Sequence, residues 1–93
     1  MEYERIPKVS VIAPVYGVEL FIGRAVESMM EQTLDDVEFI FVDDCTPDNS
    51  INVLREVISR YSERSHQITI LRHDVNRGLP AARNTGLKAA RGE

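Results

Sequence analysis

Short runs of apolar, β-branched residues alternate along the chain with stretches in which apolar residues recur every three or four positions. Val9 to Ala13 (VSVIA) is apolar on both sides and closed by Pro14, a pattern that predicts a buried strand rather than a half-exposed one. From Glu19 to Gln32 the residues Ile22, Val26, Met29 and Met30 fall at helical spacing, with Phe21 and Ala25 widening the stripe, so an amphipathic helix follows. Phe39 to Val42 (FIFV) predicts a second buried strand, stopped by Asp43 and Asp44, which have poor strand propensity. Thr46 is placed to cap a second helix through its hydroxyl, with Pro47 at the first helical position, where a missing N–H costs nothing. The buried stripe of that helix is Ile51, Leu54, Val57, Ile58 and Tyr61, opposite a solvent side of Arg55, Glu56 and Arg60. After a polar turn through Ser62 to His66, Ile68 to Leu71 makes a third strand. A third helix follows Gly78, with Pro80 in its first turn, Ala81, Ala82, Ala89 and Ala90 for close packing, and Gly92 as its stop.

Strands that alternate with helices pair in parallel through crossovers, which predicts a three-layer, Rossmann-like α/β fold of order βαβαβα. All strand C-termini then share one edge of the sheet, and a ligand crevice forms there beside the first strand. Two loops meet at that edge: Pro14 to Glu19, and Asp43 to Asp48. Residues 1–7 read as a terminal tail and 8–93 as the structured portion, without repeat or internal linker. In a 3-2-1 arrangement the first strand is an apolar edge that calls for a pairing partner, and the alternation calls for a fourth strand where the chain stops. The expectation is a portion of a larger domain that self-associates through strand one.

Composition narrows the partners. Eleven Lys and Arg against 15 Asp and Glu give a formal charge of -4 over 93 residues, with no basic run, so neither nucleic acid nor an anionic membrane surface is expected to bind. Hydrophobic residues make up 43% of the chain, enough for one modest core. The single cysteine excludes an intramolecular disulfide, and no apolar run approaches the ~20 residues of a membrane span. A cytoplasmic location fits best, with any membrane association left to other segments of a parent protein. His66 and His73 flank a strand without a third ligand at metal spacing and read as solvated or capping histidines. Cys45 lacks the partners of a nucleophile and reads as a turn residue, and Met29-Met30 read as core.

Five fragments in order carry a family resemblance: Lys8-Val-Ser-Val-Ile-Ala-Pro-Val-Tyr16 with Glu19; Glu31-Gln-Thr33; Phe41-Val-Asp-Asp44 with Asp48-Asn-Ser50; Asn76-Arg-Gly78; and Ala81-Ala-Arg-Asn-Thr-Gly86. Together they resemble the family 2 glycosyltransferases of GT-A fold, over about Lys8 to Glu93. The resemblance implies the donor-binding part of an enzyme that transfers a sugar from a nucleotide-diphosphate sugar, usually uridine-linked, to an acceptor hydroxyl on a saccharide or lipid-linked acceptor. It implies that the turn Pro14-Val15-Tyr16 contacts the nucleoside, that Asp44 bonds the base, and that a basic residue near Arg83 reaches the donor phosphates. It also implies a divalent metal, manganese or magnesium, in the complete enzyme. The Asp-x-Asp motif that holds the metal and the catalytic base are expected beyond Glu93, so no catalytic or metal-binding residue is assigned and this chain alone is expected to bind no metal and transfer no sugar. Gly17 stands where the family usually carries Asn, and Cys45 where it carries Gly or Ser.

The residue chemistry is compatible with that reading on its own terms. Tyr16 offers a flat face and Asp44 two acceptor oxygens. Asp43 is a candidate nucleotide-binding carboxylate beside Asp44, with a competing role as an acceptor for loop amides. Arg83 suits a diphosphate or a surface ion pair, and Glu19 suits either the nucleotide loop or the positive end of a helix. Asn76 and Gly78 read first as turn chemistry. The alternative is a non-catalytic α/β nucleotide-binding or interaction module. A dinucleotide-binding oxidoreductase is set aside, because Pro14-Val-Tyr-Gly-Val-Glu19 lacks the G-x-G-x-x-G turn.

Overall fold

In the computed structural model the described residues are 9–32 and 36–91; the expected tail, the Gly92 stop and the remainder of the termini lie outside them. Their order is β1 (Val9–Val15), α1 (Ile22–Met30), β2 (Val37–Asp43), α2 (Ser50–Ile58), a 3-10 segment (Ser62–Gln67), β3 (Ile68–Arg72) and α3 (Leu79–Ala89). The strands form one parallel sheet in the order β1-β2-β3, with Ile12 opposite Ile40 and Phe41 opposite Ile70. Side-chain alternation along each strand sends residues to two faces. Val11, Ala13, Val15, Phe39, Phe41, Ile68 and Ile70 pack with Val26, Met30, Leu54 and Val57 of α1 and α2. Ile12, Ile40, Val42 and Leu71 pack with Ala82 on the side of α3. The three-layer α/β arrangement is as expected, with α1 and α2 on one face and α3 on the other.

Position in the sheet, more than strand composition, decides burial. All seven residues of β2 are buried, because it has a strand on each edge and helices on both faces. β1, expected to be buried, is so only at Val15; its other residues are half-buried or exposed, since it lies at an edge of this sheet. Pro14 does not end the strand but continues it opposite Val42, a position open to proline on an edge strand. Polar groups inside the fold are matched: Glu38 of β2 accepts from Ser10 Oγ at 2.6 Å and from the Arg91 backbone N–H at 2.5 Å. Arg64 is buried against Phe39 and donates through Nε to the Met30 carbonyl at 2.7 Å, and also to the Gln32 carbonyl. It thereby closes the C-terminal end of α1, whose last carbonyls have no partner within the helix.

Both early helices start later than their patterns predict. α1 begins at Ile22 after a turn in which Phe21 and Ile22 donate to the Val18 carbonyl, and Phe21 and Ala25 are exposed rather than part of the buried stripe. α2 begins at Ser50, and Thr46 is not its cap. Asn49 holds the cap position without a side-chain capping bond of its own, and Asp48 before it accepts from the Ser50 N–H at 3.1 Å through Oδ1, while Thr46 is drawn into a bridge between loops.

Candidate functional site

The C-terminal ends of β1 and β2 open on two loops that are laced together. Gly17 N–H donates to Thr46 Oγ1 (2.9 Å), Val18 N–H to Ser50 Oγ (3.1 Å) and Glu19 N–H to Asp48 Oδ2 (3.2 Å). In return, Asn49 N–H donates to Glu19 Oε1 at 3.1 Å. The hydroxyls of Thr46 and Ser50 both donate to Asp48 Oδ1, at 2.7 and 2.5 Å. Those two hydroxyls, Ser50 foremost, hold the Asp48 carboxyl down from 3.8 to about 2 against the opposing effect of desolvation, and the Ser50 and Glu19 amides add to them. The result is a rigid rim in which every donor and acceptor named has its partner.

Asp44 is the centre of a second network. It is 3% exposed, and both of its oxygens are engaged. Oδ1 accepts from the Arg77 N–H at 2.9 Å and faces His73 Nδ1 at 2.8 Å; Oδ2 accepts from the Gly78 N–H at 2.9 Å and Asn76 Nδ2 at 3.1 Å. Four partners match the four acceptor positions of a carboxylate. The His73 contact first, then the Arg77 amide, lower its pKa, outweighing desolvation. Gly78 reaches its place with φ 92° and ψ 164°, a conformation open essentially to glycine, which aims its N–H at Asp44 and starts α3.

Between these networks, on the α3 side of the sheet, lies a cleft of about 340 Å³ lined by Pro14, Tyr16, Asp44, Asn76, Gly78, Leu79 and Ala82. Tyr16 is 49% exposed and supplies an open aromatic face. Of the residues singled out from sequence, Pro14, Tyr16 and Asp44 meet here. Val15 points the other way, into the core beneath α1 and α2, and its carbonyl accepts the Asp44 N–H at 3.1 Å. Asp43 caps a turn, accepting from the Thr46 N–H at 3.0 Å through Oδ1, which is its competing loop-amide role. Glu19 joins the rim network and is not a lining residue of the cleft. Arg83 is exposed on α3, one helical turn beyond Leu79 and therefore on the same side of the helix.

His73 corrects the sequence reading. It is 7% exposed, and its Nε2 lies 2.7 Å from Thr85 Oγ1, so it is neither solvated nor a cap. Asn76 and Gly78 do form a turn, but one that also walls the cleft. Neither role has a local signal, because the groups that use them lie 29 to 34 residues away along the chain. Cys45 is a turn residue as read, with φ 57° and its thiol 3.4 Å from the Asp74 carbonyl.

Among the described residues no group of three or more His, Cys, Asp or Glu side chains is placed to hold a metal ion. The adjacent carboxylates of Asp43 and Asp44 are taken up by internal donors, so these residues do not fit a divalent cation.

A family model described as Glycosyl transferase family 2 matches residues 10–93. The chain belongs to that family. It is 48% identical over 87 residues to the uncharacterized glycosyltransferase EpsJ of Bacillus subtilis, covering 94% of this chain and 24% of that protein. It is 35% identical over 89 residues to a poly(ribitol-phosphate) beta-glucosyltransferase of Bacillus spizizenii, covering 92% of this chain and 13% of the relative. Among solved structures, the mannosyltransferase PcManGT from Pyrobaculum calidifontis, in complex with GDP-Man and Mn2+, superposes with a TM-score of 0.81 at 25% identity, over 92% of this chain and 25% of its own. S. aureus TarS 1-349, in complex with UDP-GlcNAc, gives 0.79 at 29% identity, over 92% of this chain and 24% of its own. The family 2 chain thus spans about a quarter of the length of several relatives it matches, and shares their GT-A type α/β architecture.

Proposed function

We propose that this chain supplies the donor-nucleotide half of a glycosyltransferase that moves a sugar from a nucleotide-diphosphate sugar to an acceptor hydroxyl of a saccharide or lipid-linked acceptor, in polysaccharide assembly. The observation that carries the reading is the cleft itself. It lies at the C-terminal edge of a parallel sheet, with an open tyrosine face on one side and the Asp44-anchored turn on the other. The base stacks on Tyr16, and its polar edge exchanges for the Asn76 amide at Asp44 Oδ2, the longest of the four contacts to that carboxylate. Pro14 bounds the nucleoside. Arg83, exposed and with no hydrogen bond or ion pair among the described residues, takes the diphosphate.

The divalent metal belongs, in this reading, to a longer protein, as does the catalytic base. The chain alone then neither transfers nor hydrolyses a nucleotide sugar, in a cytoplasmic setting where such donors are available. Strand β1, with a strand neighbour on one edge only among the described residues, recruits a second copy when nothing else covers it. Calorimetric titration of the chain with uridine and guanosine diphosphates tests the site, with Tyr16→Ala as control. Binding that the control weakens at least about fivefold supports it. Binding of neither nucleotide favours a non-catalytic interaction module.

A further inference from the structure

His73 is a buried titratable side chain that the nucleotide reading does not use, and both of its ring nitrogens are engaged. Nδ1 faces a carboxylate that can only accept, so this nitrogen carries the proton, and Nε2 lies 2.7 Å from the Thr85 hydroxyl oxygen, which can serve as donor or acceptor. The ring therefore ties the end of β2 to the middle of α3, the helix that forms the far wall of the cleft. The same Asp44 oxygen that meets His73 also accepts the Arg77 amide. A change at the ring is thus felt by the turn that carries Asn76 and Gly78 into the cleft.

We propose that His73 is the positioning residue of the cleft. With its Nδ1–H on Asp44 and its Nε2 braced by Thr85, it fixes the orientation of the Asp44 carboxylate and hence of the turn at residues 76–78. Removing the Nδ1 donor frees Oδ1 to rotate away from the Arg77 amide, and the cleft loses its defined wall. For its binding consequence the proposal rests on the nucleotide reading above; for its consequence in the loop it does not.

Two variants separate the ring nitrogens, because an Asn amide can place a donor near the Nδ1 position and a Gln amide places its terminal group near Nε2. Nitrogen-15 spectra of the ring in the full chain are expected to show a proton on Nδ1. His73→Gln is expected to accelerate amide exchange at Arg77 and Gly78 selectively, with β2 amides unchanged. It should also weaken binding of uridine or guanosine diphosphate by roughly tenfold or more, the size of one hydrogen bond to a charged acceptor. His73→Asn restores the exchange protection and most of the affinity. An Nε2–H tautomer overturns the proposal, as does wild-type loop exchange in the Gln variant or equal loss in both variants. If the wild type binds neither nucleotide, the functional reading fails while the tautomer and the exchange comparison still decide the role of His73.

Discussion

A Cβ placed on Gly86 would lie 2.4 Å from Cγ2 of Ile12, so the absence of a side chain at Gly86 sets how closely α3 settles on β1. Ile12 is β-branched, held in a strand opposite Ile40, and its Cγ1 and Cβ lie within 3.4 Å of the same point, so no small rotation makes room. Overpacking of this kind typically costs about 1–3 kcal/mol, whereas alanine gains about 1 kcal/mol of helix propensity over glycine. With a contact as short as 2.4 Å the upper part of that cost applies, so Gly86→Ala is expected to lower stability by up to about 2 kcal/mol in urea unfolding. Paired with Ile12→Ala, it should cost less than the two single losses combined, since the smaller side chain vacates the contested space. A Gly86→Ala protein as stable as the wild type would mean that α3 rides higher on the sheet than described.

The rim carboxylate gives a pH signature. Asp48 titrates at about 2 in the folded chain against an ordinary 3.8, because the Ser50 and Thr46 hydroxyls bond its ionised form. A pKa lowered on folding contributes stability that is fully present above the unfolded value and is lost as pH falls toward the folded one. Asp44, lowered chiefly by His73 and the Arg77 amide, acts in the same direction. The thermal midpoint should accordingly hold steady from pH 7 to about 5 and fall between about 4 and 2. Asp48→Asn should start lower at neutral pH and fall less steeply over that window. Parallel acid curves for the two proteins would rule out this source of pH dependence.

The two adjacent aspartates are expected to separate by kind. Asp44→Ala strips the partner from the Arg77 and Gly78 amides, from Asn76 and from His73, whereas Asp43→Ala removes one bond to the Thr46 amide and a 3.9 Å contact with Arg72. The Asp44 variant should lose the greater stability and its nucleotide affinity together, measured by thermal unfolding and titration. An Asp44→Ala chain with wild-type stability would leave the buried network without structural weight.

How much of this was legible in the sequence follows the range of the interactions. The strands and helices announce themselves through apolar spacing, and the buried stripe at Leu54 and Val57 lies where its period places it. The starts of α1 and α2 do not, because Thr46 and Glu19 bond across a gap of about thirty residues instead of capping the nearest helix. β1 and β2 look equally apolar, yet only β2 is enclosed, a difference set by sheet order. Tyr16 and Asp44 were visible as residues of suitable chemistry beside a predicted crevice. That Asp44 would be saturated by its own chain was not, since its donors sit in a turn whose polar residues look like any solvated loop.

Tyr16 should behave as a side chain that matters for binding and little for folding. It is half-exposed, and no hydrogen bond of its hydroxyl occurs among the described residues. Tyr16→Ala is expected to change stability by no more than about 0.5 kcal/mol, as at other surface positions. Stacking of a base on an aromatic ring contributes about 1–3 kcal/mol, so nucleotide affinity should drop by roughly five- to a hundredfold. Affinity that survives the substitution would move the nucleoside off this face.

The β1 edge yields a prediction about assembly. Among the described residues β1 pairs with β2 on one side and with no strand on the other, and Val9 at its start is 39% exposed. An extended backbone edge with apolar side chains is a template for another strand, and a second copy brings an identical edge. Pro14 removes one potential donor near the C-terminal end, which leaves the stretch from Val9 to Ala13 as the part able to pair. Sedimentation of the purified chain should therefore show a monomer–dimer equilibrium in the micromolar to millimolar range. Val9→Lys, which adds a charge beside the edge while leaving the β1–β2 ladder intact, should shift it toward monomer. A chain that is monomeric at high micromolar concentration, or a dimer indifferent to Val9→Lys, would show that this edge is protected in another way.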